Sequence, residues 1–189
     1  MDTGARFLDG QMLIAMPGMG DPRFARAVIF LCAHSAEGAM GLIVNKPAPD
    51  LRFRDLLKQL GIETTADVGS IRVHFGGPVE HGRGFVLHSA DYDADGSSLR
   101  VSPRFAMTAT LDVLQAMARG AGPAQALLAL GYSGWGPGQL EGEIQANGWL
   151  IADADPDLVF GLRDTDKWEA ALRSLHVDPR LLSPEGGRA

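Results

Sequence analysis

The sequence predicts an α+β fold, and three observations carry that prediction. Apolar runs of strand length come first and pair off as hairpins. Helical periodicity is mostly held back to the later part of the chain. No unit repeats strand, crossover helix and strand in register, which argues against a parallel doubly wound sheet. The 189 residues, 46% hydrophobic and 21% charged, suit one globular domain that needs no disulfide staples. That domain is read as residues 1–182, with a disordered tail over 183–189.

Gln11 to Met16 is a short apolar run stopped by Pro17-Gly18, hence a strand. Ala27 to His34 is continuously apolar and β-branched or aromatic in its middle, so it predicts a strand buried on both faces. Ser35 to Gly38 turns it into a return strand, Ala39 to Val44, which Pro47 terminates. Phe53, Leu56, Leu57 and Leu60 fall on one face of a short helix closed by Gly61. Ile71 to Phe75 and Phe85 to His88 are strands around a glycine-rich turn, and Leu99 to Ser102 is a further short strand. Helical spacing from Ser102-Pro103 to Gly120 predicts a helix, and Ala124 to Leu130 a second, together a helical hairpin. Gly131 to Gly138 reads as irregular, Gln139 to Asn147 as a helix entered from it, and Trp149 to Ala152 and Leu158 to Phe160 as strands. Thr165 to Leu175, with Trp168, Leu172 and Leu175, is a final amphipathic helix.

Charge and composition exclude several function classes. A net charge of −6 and a pI near 5.3 argue against the basic footprint that phosphate neutralisation needs, so direct nucleic-acid binding is not expected. The single cysteine, Cys32, excludes an intrachain disulfide and fits a reducing compartment. Met1 to Gly10 has no apolar signal region, and no apolar run approaches the roughly 20 residues of a membrane span. A cytoplasmic protein without membrane association is expected.

Several partial motifs have plainer readings. Gly18-Met-Gly20 lacks the third glycine of a dinucleotide fingerprint and precedes a strand. Around Ser133 the second glycine sits one place early for a nucleophile elbow. Asp91, Asp93, Asp95 and Gly96 begin like a calcium loop, but Ser102 stands where a bidentate Glu is needed. A polar turn explains them. His74, His81 and His88, seven apart, would form a zinc triad only if strand and turn brought them together; hydrogen bonding near strand ends is the simpler account. Ala124 to Leu130 is too apolar for a recognition helix. Cys32 reads as a buried structural thiol.

What remains is a set of glycine-rich, polar-tipped segments able to converge. The candidate ligand-binding residues are Asn45 and Lys46 after one strand, Glu80, His81 and Arg83 in the turn between His74 and His88, and Trp135, Gln139 and Glu141 before a helix. The alternative is a set of structural turns packed by Trp135 and edged with surface charge. No catalytic residue, metal or cofactor is assigned, because no complete catalytic constellation is present.

The same segments resemble the AlgH/YqgE family of bacterial proteins. The matching stretches are Gly10 to Pro22, Arg26 to His34, Gly38 to Pro47, Gly76-Gly-Pro-Val-Glu80, Arg83-Gly-Phe-Val-Leu-His88, Gly131 to Glu141 and Asn147-Gly-Trp-Leu150. They occur in order over roughly residues 8 to 175. The resemblance implies a mixed, mostly antiparallel branched sheet bent into a pseudo-barrel and packed by helices, in a cytosolic bacterial protein. It implies little chemistry, since some members carry the label of transcriptional regulator and no catalytic set exists to carry over. The expectation is a non-catalytic regulatory or binding protein acting through a protein partner or small ligand. The alternative is an enzyme for a small phosphorylated or acidic metabolite, with Arg83 and Lys46 on the anion and His81 or Glu80 moving protons.

Overall fold

The computed structural model describes residues 6–48 and 50–182; the tail expected over 183–189 lies outside the described residues. Nine strands and four α-helices are formed among them: β1 Gln11–Ala15, β2 Val28–Ser35, β3 Gly38–Ile43, α1 Phe53–Gln59, β4 Val73–Phe75, β5 Val79–Ser89, β6 Ser98–Arg100, β7 Phe105–Thr108, α2 Leu111–Ala118, β8 Ala126–Trp135, α3 Gln139–Gln145, β9 Trp149–Asp153 and α4 Asp164–Ser174. The strand order is β6-β7-β5-β8-β3-β2-β1-β9, with β4 joined in parallel to β8. The fold is α+β, an antiparallel sheet curled into a half-barrel with helices packed against it.

β8 is where the sheet branches. Leu128 to Leu130 pair with β4 on one edge and β5 on the other, and Ser133 to Trp135 then pair with β3. β1 and the first five residues of β2 are buried on both alternating faces, which is why β2 reads as a continuous apolar run. Val28, Phe30 and Cys32 join one core with Met12, Phe85, Leu87, Leu127 and Ala129, and helix α4 inserts Trp168, Ala171 and Leu172 into it. Ile29 and Leu31 face the other way, into a core with Leu13, Ile43, Trp135, Trp149 and Leu140 of α3. Helices α1 and α2 close a third core over β4, β5 and β8 through Phe53, Leu57, Val113, Leu114 and Met117.

The predicted helical hairpin is not formed. The segment read as the second helix, Ala124 to Leu130, is the first half of β8, and Gly131 to Trp135, read as irregular, continues it. Ala and Leu favour helix, but a run without a polar side has no face to give to water, and two sheet edges bury it here. The first helix starts late: Phe105–Thr108 forms β7, and only Leu111–Ala118 is helical. Leu158 to Phe160, read as a strand, lies in a π-helical turn, Asp157–Gly161, leading into α4.

The turn between His74 and His88 also differs from its reading. The chain reverses at Gly76-Gly77-Pro78, and β5 already begins at Val79. Val79 pairs with Tyr132 and Gly84 with Leu130, so Glu80 to Arg83 bulge out opposite the single residue Gly131. A Cβ on Gly77 would overlap the Tyr132 carbonyl, and Gly131 holds φ +74° beneath the bulge. Two glycines thereby let β5 and β8 approach where the register breaks.

Candidate functional site

Four glycine-bearing segments converge on one cleft of about 620 Å³. They are the loop Gly18 to Phe24, the turn at Pro78-Val79, the end of β8 at Gly134-Trp135, and the face of α3 with the following Gly148. The size lies in the range of small-molecule sites. Met19, Phe24, Pro78 and Val79 give it apolar walls.

Its polar floor is Glu143, which the sequence reading did not single out. Trp135 Nε1 donates to Glu143 Oε1 at 3.1 Å, and Trp149 Nε1 donates to the same oxygen at 3.0 Å. The two indoles meet edge to face with centroids 6.1 Å apart. Gln139 Nε2 donates to Glu143 Oε2 at 3.2 Å, and Gln139 Oε1 accepts from Gly136 N. The spacing of Gln139 and Glu143, four apart on one helical face, was the available signal. At the rim, Asp21 takes a bidentate hold from Arg23, whose hydrogen bonds keep that carboxyl below its ordinary value.

The other expected site residues divide among separate places. Asn45 Oδ1 accepts from Val28 N and its amide donates to Arg26 O, so it braces the loop before β2. Lys46 Nζ donates to Ala25 O, and partial burial lowers its pKa. Glu80 and Arg83 form an exposed ion pair at 3.4 Å on the bulge, with Arg83 over the Phe85 ring. His81 binds the Pro78 carbonyl through its own Nε2 and packs against Phe75. Glu141 accepts from His34 Nε2 at 2.7 Å. His34 Nδ1 accepts from Leu8 N, which fixes the tautomer that donates to Glu141. Trp135 and Gln139 alone of the expected set line the cleft. Arg83 edges a second, open groove of about 800 Å³, over Met40, Phe85, Met107 and Tyr132, which Trp135 also lines, so these two expected residues share that groove.

The three histidines spaced seven apart also go separate ways. His88 donates from Nδ1 to Ser89 O, and its Nε2 lies 2.8 Å from Thr108 Oγ1; burial lowers its pKa. His74 is fully buried and donates from Nε2 to Asp164 Oδ1 at 2.9 Å, leaving Nδ1 without a partner. Among the described residues no group of three or more His, Cys, Asp or Glu side chains is placed to hold a metal ion. Asp91 accepts from Ser89 Oγ and Ala124 N, and Asp93 from Gly96 N, the bonds of a polar turn.

A second cluster joins His74 to three charged residues, Arg72, Asp164 and Lys167, that the sequence did not mark. The Lys167 ammonium, fully buried, donates to Val44 O at 2.6 Å and pairs with Asp164 Oδ1 at 2.9 Å. Arg72 reaches the same carboxylate at 3.5 Å and donates to the Phe160 and Leu162 carbonyls. Burial alone would raise the Asp164 carboxyl, but His74 and Lys167 outweigh it and bring its pKa to about 2. At Lys167 the balance reverses: desolvation exceeds the attraction of Asp164 and lowers the ammonium's pKa. The cluster fastens α4 to β4 and to the end of β3. Lys167 and His74 are fully buried, and only Arg72 reaches a surface cavity, of about 480 Å³.

Comparison with known proteins completes the description. A family model described as AlgH-like matches residues 12–180. The chain is 63% identical over 183 residues to a UPF0301 protein of Ruegeria pomeroyi, covering 96% of this chain and 99% of the relative. It is 56% identical over 184 residues to a UPF0301 protein of Paracoccus denitrificans, covering 96% and 97%. The solution structure of the AlgH protein from Pseudomonas aeruginosa matches with a TM-score of 0.77 and 39% identity over 100% of both chains. A crystal structure of a Corynebacterium diphtheriae protein matches with a TM-score of 0.71 over 92% of this chain and 89% of that one; at 23% identity it speaks to the fold alone. No helix among the described residues is long and apolar enough to cross a membrane.

Proposed function

The chain belongs to the AlgH-like family, and from that premise we propose that it is a non-catalytic binding protein with a regulatory role, working through the cleft between the Gly18–Phe24 loop and α3. The observation that carries this reading is the clamp on Glu143. The Glu143 carboxylate in the cleft lining is held by two indole N–H groups and an amide, an arrangement that fixes shape and charge and, among the described residues, places no proton relay or metal ligand set beside it. The groups that the enzymatic alternative requires are engaged elsewhere: Lys46 on a backbone carbonyl, Arg83 on Glu80, His81 on its own turn. Acting on an acidic metabolite would need them in one cleft. The net charge of −6 favours a regulatory effect through a ligand or protein partner over contact with DNA.

The test is retention of small molecules from a bacterial metabolite extract, followed by mass spectrometry, on the wild type and on Gly20→Leu. Gly20 lines the cleft and a Cβ there meets nothing within 4 Å, so the variant adds bulk to the cleft wall without disturbing the core. The expected result is a compound retained by the wild type, unchanged in mass over hours, and lost from the variant. Conversion of that compound to a product, or equal retention by both proteins, would overturn the reading.

A further inference from the structure

We infer that the cleft takes a small organic cation, an ammonium group carried on an apolar or aromatic body; this rests on the binding reading above and names the ligand class. The argument starts from the charge on Glu143. All three of its donors, Trp135 Nε1, Trp149 Nε1 and Gln139 Nε2, are neutral. None of the ion pairs among the described residues uses it. Neutral donors orient a carboxylate without cancelling its negative charge. The other two charged groups of the lining, Asp21 and Arg23, are paired at 2.7 Å and cancel each other. The cleft therefore presents one unbalanced negative charge.

The geometry says where a cation would sit. Oε1 is occupied by both indoles, whereas Oε2 has one donor at 3.2 Å and keeps acceptor capacity. An ammonium N–H on Oε2 makes a charge-assisted hydrogen bond to a group that is already oriented, so little ordering is lost on binding. The remainder of the ligand lies against Met19, Phe24 and Pro78. An anion would meet repulsion at the same point, and a neutral molecule would gain only the apolar contacts. If Glu143 serves merely to clamp the two tryptophans, the cleft has no reason to select by charge. Charge selection is thus the property that separates the two accounts.

Isothermal titration of the full chain with phenethylamine, phenethyl alcohol and phenylacetate tests it, because the three share a ring and differ in charge. The amine is expected to bind at least tenfold more tightly than the alcohol, with phenylacetate weaker still. Gly20→Leu should abolish amine binding, and Glu143→Gln should bring the amine down to the level of the alcohol. Should Glu143→Gln fail to fold, the comparison of the three compounds on the wild type decides the matter alone. The alcohol or phenylacetate binding as tightly as the amine would overturn the cation inference and leave the binding reading intact. Amine binding that survives Gly20→Leu would overturn the location. No heat from any of the three at millimolar concentration would overturn the ligand class, while the binding reading falls only if the extract yields no retained compound.

Discussion

Removing Asp164 should unfold more of the protein's stability than removing its partner Lys167, and the structure gives the reason. Asp164, with a side chain 10% exposed, serves three groups: Lys167 at 2.9 Å, His74 at 2.9 Å and Arg72 at 3.5 Å. Asp164→Ala leaves the fully buried Lys167 ammonium with a single carbonyl acceptor and leaves His74 with no partner on either nitrogen. Stranding a buried charge costs about 3–5 kcal/mol. Lys167→Met leaves Asp164 with His74 and Arg72 and strands only the Val44 carbonyl, a loss of roughly 1–3 kcal/mol. In the double variant the stranded charge is gone, so the combined loss should fall short of the sum by roughly 1–3 kcal/mol. Urea unfolding followed by far-UV circular dichroism measures all four proteins. An Asp164→Ala variant within about 1 kcal/mol of wild type, or additive losses in the double variant, would refute the reasoning.

Acid should weaken the same anchor. The Asp164 pKa is lowered from 3.8 to about 2 on folding, so its contribution is present above the unfolded value and is lost as pH falls through the folded one. The loss is roughly 2 kcal/mol, and urea midpoints should fall more steeply between pH 4 and pH 2 for the wild type than for Asp164→Asn. Burial pushes the Cys32 thiol up to about 12, so a thiol reagent should label the native protein slowly and the urea-unfolded protein at once; rapid native labelling would contradict its placement in the core. Gly77→Ala should destabilise by roughly 2–4 kcal/mol because its Cβ overlaps the Tyr132 backbone, whereas Gly20→Leu should stay within about 0.5 kcal/mol; equal effects in urea unfolding would show that the β5–β8 contact is not tight.

The parts of the fold legible in the sequence are those whose burial pattern is local. Strand β2 and its return β3, helix α1 and helix α4 carry their periodicity within a single segment, and each forms where expected. Strand β8 was not legible, because Ala-Leu-Leu-Ala-Leu is a helix-forming composition and its strand state comes from pairing with three other strands. The site divides in the same way. Glycines marked the segments that converge, since close backbone approach needs them locally. Glu143 was missed although its donors Trp135, Gln139 and Trp149 all lie within eight residues of it, because only the strand–helix–strand path aims both indoles at one carboxylate. The other cluster was hidden by distance. Lys167 finds the Val44 carbonyl 123 residues away, and Asp164 meets His74 across 90. Asn45 and Lys46 looked free in the sequence, yet they are held by the Arg26 and Ala25 carbonyls, which only the folded loop brings near.

The tryptophans offer the most direct measurement of the central claim. Of the three, Trp135 and Trp149 donate to Glu143 beside the cleft, while Trp168 donates to Ala15 O and packs in a different core. Nitrogen-15 NMR resolves their indole N–H signals during titration with the compound retained from extract, or with phenethylamine. The account predicts that the Trp135 and Trp149 signals shift together and saturably while Trp168 stays in place. Movement of Trp168 with the other two unchanged, or saturable binding that leaves all three indoles unmoved, would contradict it.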